Sequence, residues 1–231
     1  TMNQISTHHQ VNNDILDKLQ NRALWLSLYM LDYANNIRQN PSTLKVGGHP
    51  SSSTSVITTL TYLYFEYLNQ GDRIAIKPHA SLAYHAIQYL LGNLDPSFLQ
   101  KFRELDGLQS YPSRTKDPDF VDYSSGSVGL GAVAPNFNWL ADEYLKNHTK
   151  NPIPDKRYFS LLGDAELDEG SIWEAIAEPN LIDSKNIIWI VDLNRQSLDR
   201  IIPGIRVRAW RQMFDANGWQ VHEAKYGTKL Q

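Results

Sequence analysis

The sequence predicts an α/β protein with a mainly parallel sheet and helices on both faces. Three observations point there. Short apolar runs rich in β-branched or aromatic residues recur along the chain ("DRIAI", "YFSLLG", "NIIWIVD"). Between them lie segments with apolar residues at three- and four-residue steps, the period of an amphipathic helix. Two of the runs end in small or acidic residues and lead into a helical segment, and strands alternating with helices build parallel sheets.

Taken in order, "NNDILDKLQNRALWLSLYMLDYANNIRQN" has helical spacing with Asn or Asp available as a cap, so residues 1–40 read as a helical lead-in. "VGGHPSSSTS" is a loop running into a helix over 53–69. "DRIAI" is a short strand, "PHASLAYHAIQYLLG" a turn, a helix and a glycine stop, and "PSFLQKFREL" a further short helix. Residues 106–124 are dense in turn formers and predict a long surface loop. The glycine-rich turn "SGSVGLG" leads into a helix that Pro135 restricts to a late start or a kink. Strand 157–162, helix 169–178, strand 187–192, helix 206–217 and a last strand at 219–223 follow. With neither linker nor repeat, 1–231 is expected to be a single domain.

Composition narrows the function. A hydrophobic share of 42% with 20% charged residues suits an ordinary globular core. A net charge of −3 gives no reason to expect nucleic acid or an anionic membrane as partner. The arginines between Arg195 and Arg211 sit near acidic neighbours and read as a solvated face. With no cysteine, disulfides, thiolate metal sites and a cysteine nucleophile are excluded. No secretory signal and no run of about 18 apolar residues is visible, so the expected setting is cytoplasmic.

Chemistry gathers after two strands. Ligands of parallel sheets collect at the carboxyl ends of the strands. Asp164 and Asn194 fall just past two such ends, thirty residues apart, about one strand–helix–strand unit. One carboxylate and an amide oxygen make a poor site for bare magnesium, a hard cation that takes one or two carboxylates plus phosphate oxygens. The site becomes reasonable if a diphosphate brings the missing negative charge. Gly163 allows close backbone approach, and the helix after it offers amides to a phosphate. The plain alternative is a helix-capping aspartate and a turn asparagine; spacing alone leaves both open.

Gly163-Asp164-Ala165 with Asn194 resembles the Gly-Asp-Gly and distant Asn signature of thiamine diphosphate enzymes, with alanine for the third glycine. Three more segments match in order. "GGHPSSS" resembles the Gly-His-Pro loop of transketolases and homodimeric pyruvate dehydrogenases and carries His49. "KPHAS" is similar to their Lys-Gly-His-Ala-Ser, with Pro78 for glycine, and carries His79. "SGSVGLG" resembles the turn lying along the diphosphate. "DGLQSYPS" resembles a Gly-Leu-Ser-Ser-Tyr-Pro segment of the decarboxylating first component of pyruvate dehydrogenase complexes. No histidine stands between His85 and His148, where transketolases carry one for a sugar hydroxyl. Glu169-Gly170 and Glu174-Ala175 echo transketolase instead.

The resemblance implies a transketolase-like, thiamine diphosphate-binding fold with thiamine diphosphate and Mg2+ as cofactors. It places Asp164, Asn194 and the Gln196 main-chain carbonyl on magnesium. Ser127, Gly129, Gly163, Ala165 and Glu166 would line the diphosphate, His49 and His79 the reacting end, and Tyr111 the substrate pocket. It also implies a glutamate on a pyrimidine-binding domain of the same or another chain, with C-terminal domains also absent here. A homodimer or heterotetramer, with a lipoyl-bearing acyltransferase as partner, would be the complete enzyme. This chain is therefore expected to be a fragment or split subunit, inactive alone. Ketol transfer on sugar phosphates, or a non-catalytic module that keeps the fold, are the alternatives.

Overall fold

The computed structural model describes residues 12–41, 44–150, 152–182, 184–193 and 206–224, with backbone alone at 196–197, 200–201 and 204–205. Helix α1 (Asn13–Asp32) starts where Asn12 Oδ1 accepts the Asp14 N–H at 2.9 Å, a side-chain cap for an otherwise orphaned donor. Its buried residues Ala23, Leu26 and Met30 recur at helical steps and lead to Ala34 in a closing π-helical turn, Tyr33–Ile37.

The expected helix over 53–69 is in pieces: α2 (Pro50–Thr54), α3 (Ile57–Tyr62) and a π-helical turn, Leu63–Tyr67. One of its hydroxyls contributes to the break. Thr54 Oγ1 donates to the Ser51 carbonyl, competing with the helical ladder. Strand β1 (Arg73–Ala75) and a 3-10 turn, Pro78–Ala80, lead into α4 (Ser81–Leu90). "PSFLQKFREL" is only a 3-10 turn, Pro96–Gln100. Positive φ angles at Arg103 (54°) and Asp106 (56°) then fold the chain back, and Phe102 bridges to Leu108.

Helix α5 (Leu130–His148) begins ahead of Pro135 and runs through it, contrary to the late start the sequence allowed. Pro135 is buried, and its missing N–H leaves only the Gly131 carbonyl without its usual intrahelical donor. Next come β2 (Tyr158–Gly163), α6 (Gly170–Ile176), β3 (Ile187–Asp192), the short pair β4 (Gln196–Ser197) and β5 (Arg200–Ile201), and α7 (Gly204–Ala216). The expected strand at 219–223 is not formed. Trp219 is held by side-chain contacts instead: its indole N–H donates to the Ile176 carbonyl at 3.0 Å and its ring lies 5.2 Å from Trp189.

The sheet is parallel in the order β1–β2–β3, while β4 and β5 pair antiparallel. Alternation along the strands divides the core. Phe159, Leu161, Ile188 and Ile190 face the cluster built by α1, α3 and α4. Leu162, Trp189 and Val191 face α5, α6 and α7. Helices therefore cover both faces, and the carboxyl ends of three strands open at one edge. Among the described residues no helix is long and apolar enough to cross a membrane.

Candidate active site at the carboxyl edge of the sheet

Three sequence-distant loops meet at this edge. His49 holds the N-cap position of α2 and His79 the turn after β1; their rings stack with centroids 4.0 Å apart and 18° between planes. The Tyr111 hydroxyl, on the long loop, lies 3.2 Å from His79 Nε2. Short polar ties hold these loops. Ser53 Oγ donates to the His79 carbonyl at 3.3 Å. Arg103 Nη1 donates to the Val46 carbonyl at 2.5 Å, and Asn35 bonds both backbone groups of Gly47.

The site disfavours the charged form of both histidines. Burial first, then His49 and the cations Lys77 and Arg103, pull His79 down to about 4. Burial and Arg103 lower His49 as well.

Asp164 opens a 3-10 turn, Asp164–Asp168, directly past β2 and is 1% exposed. Gly163 pairs in register with Asp192 of β3, so the residue before Asp164 and the second before Asn194 are direct neighbours in the sheet. Asn194 itself lies outside the described residues. Gln196 falls in β4, opposite Ile201, and its side chain is also outside them. Glu166 Oε2 accepts the Gly163 N–H at 2.9 Å, and burial pushes its carboxyl pKa up against that bond and the Lys77 charge. Ser127 lies in the turn before α5, and Gly129 caps that helix at φ 78°. An added Cβ at Gly129 would stand 3.0 Å from Glu169 Cβ, so the turn presses against the loop after β2.

The sequence reading missed an ion pair here. Lys77, only 4% exposed, donates from Nζ to Asp192 Oδ2 at 2.7 Å and to Ser55 Oγ at 3.3 Å; Ser55 also donates to Asp192 at 2.6 Å. β1 and β3 are not neighbours, and the lysine spans β2 by passing over Gly163, where a Cβ would meet its Cδ at 3.4 Å. A charged residue just past each of two apolar runs, "RIAIK" and "IIWIVD", was the available signal. Among the described residues one group of three could surround an ion, His85 with Asp117 and Asp119, and it does not include Asp164.

Residues 45–231 match the family model described as the thiamine diphosphate binding domain of transketolase. The chain belongs to this family. It is 28% identical over 222 residues to the pyruvate dehydrogenase E1 component of Haemophilus influenzae, and 27% over 229 residues to that of Cupriavidus necator. Those matches take in 91% and 94% of this chain but only 24% and 25% of the relatives, so it spans about a quarter of their length. A transketolase variant from Pichia stipitis superposes with a TM-score of 0.78 at 21% identity, over 94% of this chain and 32% of that one. The chain thus has the transketolase-like α/β fold.

Against the family pattern, Ala165 and Pro78 replace glycines without strain. Positive φ at non-glycine residues occurs only at Arg103 and Asp106 among the described residues, so position 165 needs no glycine. Pro78 takes the first position of its 3-10 turn, where a missing N–H costs nothing. The donor chemistry also fits the family's cofactor. Asp164 offers a hard carboxylate at a strand tip, and the Gly129 turn offers backbone with no side chain in the way.

Proposed function

We propose that this chain is the diphosphate- and magnesium-binding part of a thiamine diphosphate-dependent enzyme that decarboxylates a 2-oxo acid, of the pyruvate dehydrogenase type. The observation that carries the reading is the meeting of His49, His79 and Tyr111 at the strand edge that also bears Asp164. The register of Gly163 with Asp192 supports Asp164 and Asn194 sharing one cation, with the Gln196 main-chain carbonyl as third ligand. Gly129, Ser127, Gly163, Ala165 and Glu166 would hold the diphosphate.

When bound, thiamine diphosphate supplies the nucleophilic carbon and the electron sink. The chain orients it and manages protons. A neutral His79 can accept a proton or hydrogen-bond a developing alkoxide, and Tyr111 fixes the plane of its ring. "DGLQSYPS" favours a 2-oxo acid over a sugar phosphate, as do the curated relatives' descriptions. The partners proposed are a pyrimidine-binding domain, on this or another chain, and a lipoyl-bearing acyltransferase.

Calorimetry with thiamine diphosphate and the complete protein tests this reading. Magnesium-dependent binding that disappears in Asp164→Ala is expected; binding that survives the substitution contradicts the metal assignment. Normal steady-state decarboxylation of pyruvate by the 231-residue chain alone would contradict its dependence on a second domain.

A further inference from the structure

His85 lies on α4 six residues after His79 and is fully buried. Its ring nitrogens face different groups. Nδ1 is 2.8 Å from Asp119 Oδ2; Nε2 is 3.4 Å from the Gln109 carbonyl oxygen and 3.8 Å from Asp117 Oδ1. An ionised carboxylate and a carbonyl only accept, so both nitrogens can donate at once only when the ring is an imidazolium. Charge balance agrees. Asp119 is buried, and its Oδ1 has no hydrogen-bond partner among the described residues, so the carboxylate needs a cation beside it. The ring stands between the two carboxylates, and each Asp117 oxygen also accepts a backbone N–H.

What takes the Asp117 oxygens is the informative part. Oδ1 accepts the Gln109 N–H at 2.7 Å and Oδ2 the Ser113 N–H at 2.6 Å. Those two amides bracket Tyr111, whose hydroxyl meets His79. We propose that the His85 imidazolium is the positioning group for Tyr111, drawing the 109–119 loop onto α4 so that the tyrosine hydroxyl reaches His79. The functional meaning rests on the reading above; the positioning itself does not.

The groups around His85 are Asp119 and Asp117 from the loop, and Tyr84 on its own helix with ring centroids 5.4 Å apart; Tyr64 backs Tyr84 at 6.1 Å. Burial opposes the charge on His85, but the Asp119 hydrogen bond and the fields of Asp119 and Asp117 outweigh it and raise the pKa. A raised histidine stabilises the loop fully below the unfolded value of about 6.5 and loses that contribution as pH climbs through the folded value.

Amide exchange followed by NMR on the complete chain, corrected for intrinsic pH dependence, tests the proposal without any cofactor. It is therefore independent of whether thiamine diphosphate binds. Near pH 6.5, protection at Gln109 and Ser113 should fall about tenfold in His85→Gln and Asp119→Asn, the loss of one charge-assisted hydrogen bond, while Phe159 and Leu161 in β2 keep theirs. The unsubstituted chain should lose the same protection on raising the pH, a step absent from both variants. Folded variants that keep the protection, or no step in the unsubstituted chain, overturn the proposal. If both variants unfold, the ring nitrogens decide: two protonated nitrogens near pH 6.5 support it, a neutral tautomer overturns it.

Discussion

The rings of His49 and His79 lie face to face with 4.0 Å between centroids, a spacing at which His49 penalises a charge on His79. After burial, His49 is the largest influence holding His79 near 4. The folded pKa is below the free value of about 6.5, so the stability that neutral His79 contributes is complete above that pH and is lost as pH falls toward 4. His49→Ala should therefore move the His79 midpoint upward in an NMR titration. An unchanged midpoint would mean the rings do not interact in solution.

Lys77→Met should destabilise the protein by about 3 kcal/mol, because it strands the Asp192 carboxylate in a largely buried position. Adding Asp192→Leu should recover most of that loss, since two apolar groups leave no uncompensated charge. Urea midpoints of the single and double variants measure both effects. A double variant no more stable than the single one would place the cost in packing.

Gly129→Ala forces an L-residue to φ 78° and sets a methyl 3.0 Å from Glu169 Cβ and 3.1 Å from Ile172 Cγ1. The left-handed conformation alone costs about 1–2 kcal/mol. A drop of about 3–6 °C in Tm is expected at this chain length. If thermal melting is unmoved, the turn is looser than its contacts imply.

Most of the sheet was legible in the sequence because its strands are short apolar runs with a clear stop. The strand predicted at 157–162 is Tyr158–Gly163 in the structure, and 187–192 is Ile187–Asp192. Where side chains rather than pattern decide, the reading failed. The Thr54 hydroxyl competed with the helix over 53–69, and Trp219 gave its segment an indole anchor in place of a ladder. Within the site, His49, His79 and Tyr111 were found through the motifs around them, and the structure brings the three together. Lys77, Asp192 and His85 were passed over because a buried charge is recognisable only once its partner, more than thirty residues away, is known.

The match to the family begins at residue 45, yet Asn35 holds Gly47 by both main-chain groups, at 2.9 and 3.2 Å, and Ala23, Leu26 and Met30 belong to the larger core cluster. An expression boundary drawn at the start of the match would strip one wall from the interior and untether the loop that presents His49. Shortened versions for crystallisation should therefore be cut ahead of Asn13; a version cut at 45 is expected to be recovered chiefly in inclusion bodies.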